Sequence, residues 1–489
     1  MKKTGCKTAF IVDFLIISLA LFSCRSDKKE NTKETGNFVQ ISRENPSYFQ
    51  LSDGTPYIPV GINLISPSGK YRNNPDSSLY DFGQWMKKLS SNGGNYIRVW
   101  LSSPFWDIED QKAGLYSEEK AGRIDTLIKM AERYNLRIKM TLEHFRSLTE
   151  EENPQPWAVK SVYHTSNGGP LDSIRQYISS QEGQKLFIDK AGFYSSRYGS
   201  RAVFFGWELW NEMNAMKGPE DSLFFMWNEK MLKEVKKGFP DNLVMQSLGS
   251  FDTDGVRSLY RKMTLLPDNE VAQVHRYLDP GAPLDLCQMP MDIICSSAVE
   301  DIISYNPGKP VILAETGAVE SRHSGPSRFY SVDTAGILLH DILFAPFFSG
   351  SAGAGMSWHW DSYVDKNNLW YHFGRFSEAV KNIDPVKEKF IVSKHEAEGL
   401  RIYRLSGRKT VLLWLRDKSN TWETELRDHQ PPRIISGIRL DNGLTGLSSP
   451  AEKIEIYDPW KNIWSDAEAG ESGIALPGFR RSIVIRIVR

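Results

Sequence analysis

Short apolar runs rich in β-branched residues alternate with longer amphipathic stretches between about residues 55 and 380. Runs with the length and composition of strands are Tyr57–Ile62, Tyr96–Trp100, Arg137–Leu142, Val203–Trp207, Leu243–Gln246, Val271–Val274, Val311–Ala314 and Ala354–Trp358. Apolar positions recur with helical period in Leu79–Ser90, Gly122–Tyr134, Gln181–Tyr198, Phe224–Lys237 and Thr334–Leu343. This alternation indicates a parallel sheet with crossover helices. Eight such strands predict an α/β fold of the closed (β/α)8 TIM barrel type, and no glycine-rich dinucleotide fingerprint favours an open sheet.

The pattern changes near residues 382–394, after which short strands and turns replace the long helices. The predicted strands are Leu400–Leu405, Thr410–Arg416, Arg433–Leu440, Lys453–Asp458 and Ser482–Val488. Turn residues follow in Asp441-Asn442-Gly443 and Pro477-Gly478. We therefore expect a catalytic barrel over residues 41–388 and a C-terminal β-sandwich, an accessory domain packed on the barrel, over residues 389–489.

The first 24 residues have the order of a signal peptide, with early lysines followed by an apolar stretch from Ala9 to Phe22. Leu21-Phe22-Ser23-Cys24 resembles a bacterial lipobox, which implies lipidation of Cys24. Residues 25–40 are predicted to be a flexible tether. We expect an exported protein, lipid-anchored to the outer membrane of the bacterial cell envelope. The membrane leaflet, periplasmic or surface, stays open, and an ordinary secretion signal is the alternative.

The composition of the chain limits the classes of binding partner that it suits. Lys+Arg and Asp+Glu both number 60 in the 489 residues, so no basic surplus indicates nucleic acid. Aromatic residues make up 12% of the chain, which suits either a sugar-binding cleft or a large aromatic core. Cys287 and Cys295 are the cysteines beyond the N-terminal segment, and whether they form a disulfide stays open. Cys/His spacing indicates no zinc site, and we expect a monomer.

Two carboxylates follow apolar strands where a barrel places its catalytic groups. Strand four ends in Trp210-Asn211-Glu212, and strand seven ends in Ala314-Glu315-Thr316. Two glutamates facing one cleft are what retaining glycoside cleavage needs, one as proton donor and one as nucleophile. Asn211 stands beside the acid, where an amide can bind the sugar 2-hydroxyl. A single strand-end glutamate is usually a solvated carboxylate, but this pair favours catalysis.

The chain resembles glycoside hydrolase clan A, and within it the family-five type of cellulases and mannanases. The resemblance lies in Asn211-Glu212 and Glu315 and covers roughly residues 45–385. It implies a carbohydrate substrate, retention of anomeric configuration, Glu212 as proton donor, Glu315 as nucleophile, and neither a metal nor an organic cofactor. The sequence leaves three points open, namely mannan-like or glucan-like β-linked substrate, endo or exo action, and hydrolysis or transglycosylation. A catalytically silent carbohydrate-binding lipoprotein is the competing hypothesis.

The same resemblance assigns substrate-site roles to further strand ends. Arg98 is expected to support the nucleophile, although it could instead pair with a buried Glu208. In His275-Arg276-Tyr277 the tyrosine is expected to donate to the nucleophile. Trp358 and Trp360 match the aromatic floor under the sugar. His144 is expected to contact substrate, with a core histidine as the alternative. We further expect proximity to Glu315 and desolvation to keep Glu212 protonated.

Overall fold

The computed structural model describes residues 36–67, 74–144, 148, 161–216, 219–446, 451–470 and 473–489, of which Gly36–Arg489 form one compact unit. The chain opens with a small antiparallel sheet of β1 (Val39–Ile41), β2 (Phe49–Leu51) and β3 (Pro56–Tyr57). Phe38 and Val39 are buried in it. The predicted tether to residue 40 is therefore too long, because these apolar side chains are anchored by pairing and burial. The signal peptide and Cys24 lie outside the described residues.

Parallel strands form the barrel in the predicted order. They are β4 (Gly61–Asn63), β5 (Tyr96–Trp100), β6 (Arg137–His144), β7 (Phe204–Asn211), β8 (Leu243–Met245), β9 (Ala272–Leu278) and β10 (Val311–Ala318). These are barrel strands one to seven. The eighth position, predicted as Ala354–Trp358, is an extended segment in which Ser357 bridges both Ile62 and Thr316. Those two bridges close the ring between the first and seventh strands, so the barrel prediction is confirmed.

Crossover helices surround the strands. They are α1 (Pro75–Ser91), α2 (Glu118–Arg133), α3 (Ile174–Ser179), α4 (Gln181–Tyr198), α5 (Asp221–Gly238), α6 (Arg257–Leu265), α7 (Met291–Ile303), α8 (Ile337–Phe348), α9 (Tyr371–Ala379) and α10 (Pro385–Glu388). Local signals set their ends. In α1, the side chain of Asn74 caps the first turn and Pro75 occupies the first helical position. No helix among the described residues has the length and apolar content needed to cross a membrane.

The C-terminal region consists of antiparallel sheets. Six strands pair in the order β11 (Ile391–Ala397), β12 (Leu400–Ser406), β13 (Thr410–Asp417), β19 (Ser482–Val488), β15 (Lys453–Asp458) and β16 (Ile463–Ala467). A second layer contains the short strands β14 (Arg439–Leu440), β18 (Gly473–Ala475) and β17 (Ala469–Gly470). The predicted strand Arg433–Leu440 is mostly irregular, and the predicted turn at Asp441 begins the short helix α11 (Asn442–Thr445).

The central strands of the large sheet, β12, β13 and β19, are buried on both faces. Alternate side chains such as Leu405 and Trp414 join the barrel core, whereas Ile402 and Leu413 join a separate core under the second layer. Against this sheet every residue of α8 is buried, as expected for a helix enclosed between barrel and sheet.

Buried ion pairs cross the contact between barrel and sheet. Arg416 bonds Asp341 at 2.9 and 3.2 Å, and Arg401 bonds Asp292 at 2.5 and 2.7 Å. These pairs fix the sheet on α7 and α8. Cys287 and Cys295 are buried free thiols, which answers the disulfide question.

Candidate active site

Two backbone irregularities aim the predicted carboxylates. Glu212 follows β7 with φ 50° and ψ 46°, a left-handed conformation that is uncommon for a residue with a side chain. Glu315 lies at a register shift between β10 and β9. Strained residues and strand bulges both concentrate at functional sites, where they redirect a side chain. Each carboxylate reaches the mouth of the barrel through such a departure from regular structure.

Arg98 connects the site from below. Its guanidinium bonds Glu315 Oε2 at 2.7 Å, Glu208 Oε2 at 2.7 and 2.8 Å, and the amide oxygen of Asn211 at 2.5 Å. Arg98 is fully buried, so these contacts are not shared with solvent. The sequence left two alternatives for Arg98, contact with Glu315 or pairing with Glu208. The structure shows both contacts. The amide nitrogen of Asn211 is buried and has no hydrogen-bond partner among the described residues, although Asn211 lines the cleft.

Glu208 anchors this arginine inside the barrel. Thr141 donates to its Oε2 at 2.6 Å, Gln273 donates to its Oε1 at 3.2 Å, and Lys139 lies 3.7 Å away. Burial alone would raise the pKa of Glu208, but the charges of Arg98 and then Lys139 hold this pKa well below its usual range. Glu208 is therefore a permanent anion that orients Arg98, which confirms its expected place inside the barrel.

Glu212 is paired with His275. The Nδ1 atom of His275 lies 2.7 Å from Glu212 Oε1. Burial, and next the nearby charge of Glu315, raise the pKa of Glu212 well above its usual value. Burial, and next Arg98, hold the pKa of His275 well below its usual value, so the imidazole is neutral. This environment disfavours the charged form of Glu212.

Glu315 has different partners. The Tyr277 hydroxyl donates to its Oε1 at 2.8 Å, and Arg98 donates to its Oε2 at 2.7 Å. Burial raises the pKa of Glu315, while Arg98 and Tyr277 oppose that rise. No arginine of the described part of the chain contacts Glu212 directly, so its pKa rises further than that of Glu315. The pair shares its protons unequally, with the charge on Glu315.

The two carboxylates lie in a cavity of about 730 Å³. Trp358 and Trp360 line it as predicted, together with Trp100, whose ring centre is 5.0 Å from that of Trp358. His144 is not among the lining residues. It stacks on Trp100 at 4.7 Å and its Nδ1 atom bonds Ser102 at 2.5 Å. His144 therefore supports an aromatic wall, and the expected direct contact with substrate is not what this geometry shows.

Sequence reasoning missed part of the cavity wall. Its lining also includes Ser250, Asp252, His323, His359 and Asp361. His359 lies between the two tryptophans and Asp361 follows them, but the sequence offered no role for either residue. Ser250, Asp252 and His323 belong to loops after barrel strands five and seven. Only a survey of polar residues beyond the strand ends could have found them.

Glu212, His275 and Glu315 could in principle ligate a cation, since one donor atom of each lies within 4.8 Å of the others. However, Nδ1 of His275 is engaged by Glu212, and both oxygens of Glu315 accept hydrogen bonds. A cation at this place would also lie against the Arg98 guanidinium, which repels it. The donor set therefore fits a proton-sharing pair better than a metal centre.

Comparison with known proteins supports the fold. Neither a family model nor a curated protein sequence matches the chain. A glycoside hydrolase family 5 protein of Bacteroides vulgatus has a TM-score of 0.58 at 13% identity, over 92% of this chain and 93% of that one. A second Bacteroides vulgatus structure gives 0.54 at 12% identity, over 93% of this chain and 83% of its own.

A third similar structure is an exo-β-1,4-mannosidase from Opitutaceae bacterium strain TAV5, with a TM-score of 0.50 at 17% identity over 70% of this chain and 62% of that one. At these identities the likeness shows a shared fold. The fold is a (β/α)8 barrel. The predicted resemblance to family five is confirmed for the fold.

Proposed function

We propose that the chain is a retaining glycoside hydrolase, in which Glu212 is the proton donor and Glu315 the nucleophile. The observation that carries the proposal is that carboxylate oxygens of the two residues lie within 4.8 Å of each other in one cavity. Retaining enzymes hold their two carboxyl groups about 5–5.5 Å apart, whereas inverting enzymes need about 6.5–9.5 Å to admit a water molecule. The spacing here suits direct attack by Glu315 on the anomeric carbon.

The surroundings of each residue support its role. A raised pKa keeps Glu212 protonated until it donates to the leaving oxygen. Once Glu315 becomes part of a neutral ester, its charge no longer raises the pKa of Glu212. Glu212 then loses its proton more readily and can activate water for the second step. The buried, unpartnered amide nitrogen of Asn211 beside the acid suits a bond to the sugar 2-hydroxyl.

We propose β-linked mannan-like polysaccharide as the substrate class. Support comes from the Trp100, Trp358 and Trp360 wall, because sugar faces stack on aromatic rings. One protein of similar fold is an exo-β-1,4-mannosidase and another is a glycoside hydrolase of family 5. Aromatic rings stack on the sugar faces of mannan and glucan alike, so the test includes both classes.

The test is a panel of β-mannans and β-glucans with reducing sugar and product size measured together. Wild type should release sugar from one class, and Glu315→Gln should release none. On an activated aryl glycoside, Glu212→Gln should retain the first step, because a good leaving group needs no proton. Equal and complete loss in both variants would contradict the assigned roles. Tight glycan binding without release would favour a carbohydrate-binding lipoprotein.

We also propose export and lipid anchoring through Cys24. The charge order of residues 1–24 and the Leu21–Cys24 ending support this placement. Metabolic labelling with a fatty acid should modify wild type but not Cys24→Ser. Equal labelling of both proteins would contradict anchoring at this cysteine.

A further inference from the structure

One wall of the cavity has polar residues that the proposed chemistry does not use. Ser250 and Asp252 follow barrel strand five, and His323 follows barrel strand seven. Gly249 donates to the side chain of Asn214 at 2.7 Å, which ties this wall to the loop that carries Glu212. The charge of Asp252 also raises the pKa of Glu212. Because an acid delivers its proton to the leaving oxygen, the leaving group lies on this side of the cleft.

His323 is held in place by a buried carboxylate. Asp279, directly after barrel strand six, accepts from His323 Nδ1 at 2.9 Å through Oδ2. Its Oδ1 accepts from the backbone of Arg322 at 2.9 Å and of Gly281 at 2.8 Å. Arg322 and His323 have φ of 59° and 57°. Two consecutive left-handed residues with side chains are unfavourable, and the hydrogen bonds to Asp279 stabilise the loop that contains them.

This arrangement leaves two hydrogen-bond acceptors open to the cavity. In a neutral imidazole that donates through Nδ1, the Nε2 atom is an acceptor. The Nε2 atom lies 3.4 Å from the Ser250 hydroxyl, a distance long enough for a better-placed hydroxyl to replace that contact. Asp252 is half-buried. Apart from its own backbone, no residue of the described chain donates a hydrogen bond to its carboxylate.

We propose that His323 and Asp252 form a hydroxyl-accepting subsite for the leaving group, which selects a sugar in that position over an aglycone without hydroxyls. The proposal rests on the proposed hydrolase function. A sugar presents neighbouring hydroxyl donors, and this wall offers two adjacent acceptors beside the acid. Asp279 is a positioning residue that fixes which imidazole nitrogen accepts.

The test compares two leaving groups. β-1,4-Mannotriose and cellotriose fill the subsite with a sugar, whereas the 4-nitrophenyl β-mannoside and β-glucoside fill it with a ring that lacks hydroxyls. His323→Ala and Asp252→Ala should each lower kcat/KM on the cleaved trisaccharide about tenfold to a hundredfold, with a much smaller effect on the nitrophenyl glycosides, whose leaving group has no hydroxyl for these acceptors. Asp254→Ala is the matched control, since Asp254 pairs with Arg257 and does not line the cavity. Equal losses on both kinds of substrate, or none on the trisaccharide, would overturn the subsite.

A binding measurement distinguishes failure of the subsite proposal from failure of the hydrolase proposal. If wild type cleaves neither trisaccharide and releases no sugar from the β-mannan and β-glucan panel, the proposed function is wrong, and calorimetry with the same trisaccharides decides the subsite. Weaker binding by His323→Ala than by Asp254→Ala supports it, while equal or absent binding overturns it. For Asp279→Asn, nitrogen NMR should show His323 protonated at Nε2 instead of Nδ1, with selective loss on trisaccharide. An unchanged tautomer would contradict the positioning role.

Discussion

Replacement of Tyr277 by Phe tests how the cavity keeps Glu315 ionised. The change removes the 2.8 Å hydrogen bond donated to Glu315 Oε1 and leaves the Arg98 contact in place. A hydrogen bond to a charged group contributes about 1.5–3 kcal/mol. Since one pKa unit corresponds to about 1.36 kcal/mol, the pKa of Glu315 should rise by about one to two units.

The assay is the pH dependence of kcat/KM on an aryl glycoside, which reports ionisations of the free enzyme. The nucleophile must be deprotonated, so activity falls as pH drops through the pKa of Glu315. A donor that stabilises the charged form lowers that pKa, and its removal raises it. The acidic limb of the profile should therefore move to higher pH by about one to two units.

Tyr403→Phe provides the matched control. The Tyr403 hydroxyl also donates to a buried carboxylate, Asp292 at 2.7 Å, but at the contact between barrel and sheet. This variant should lose thermal stability and keep the acidic limb of wild type. A Tyr277→Phe profile with an unmoved acidic limb, or one moved to lower pH, would refute the idea that Tyr277 keeps Glu315 charged.

Three further outcomes follow from the packing. Arg416→Met should destabilise the protein by about 3–5 kcal/mol in denaturant unfolding, because Asp341 is left buried and unpaired; a loss below about 1 kcal/mol would contradict this. Gly61→Ala should unfold at much lower temperature than wild type, since a Cβ there would lie 1.8 Å from a facing backbone carbonyl oxygen; an unchanged melting temperature would show that the strand can shift. Burial raises the pKa of Cys287 to about 12 and that of Cys295 well above its usual value, so peptide mapping after iodoacetamide treatment should find both unmodified until the chain is unfolded.

Agreement between sequence and structure is closest where the signal is local. The helix Gln181–Tyr198 has the predicted bounds, since Ser180 caps its start and Gly199 ends it. Prediction failed at Arg433–Leu440, where only Arg439–Leu440 pair as a strand. The β-branched residues of this segment favour a strand, but a strand also needs a neighbour to pair with. That neighbour comes from distant parts of the chain, which local composition does not specify.

The sequence by itself determined the order of strands and helices and the position of two glutamates after strands four and seven. Both follow from local periodicity and from the rule that barrel strands end at one mouth. Tertiary structure alone decided the rest of the site. Burial raises the pKa values of both Glu212 and Glu315, the Arg98 and Tyr277 contacts of Glu315 make them unequal, and Asp279 holds His323 across 44 residues of chain. Such effects depend on which loops meet and how much water they exclude, and neither property has a local pattern.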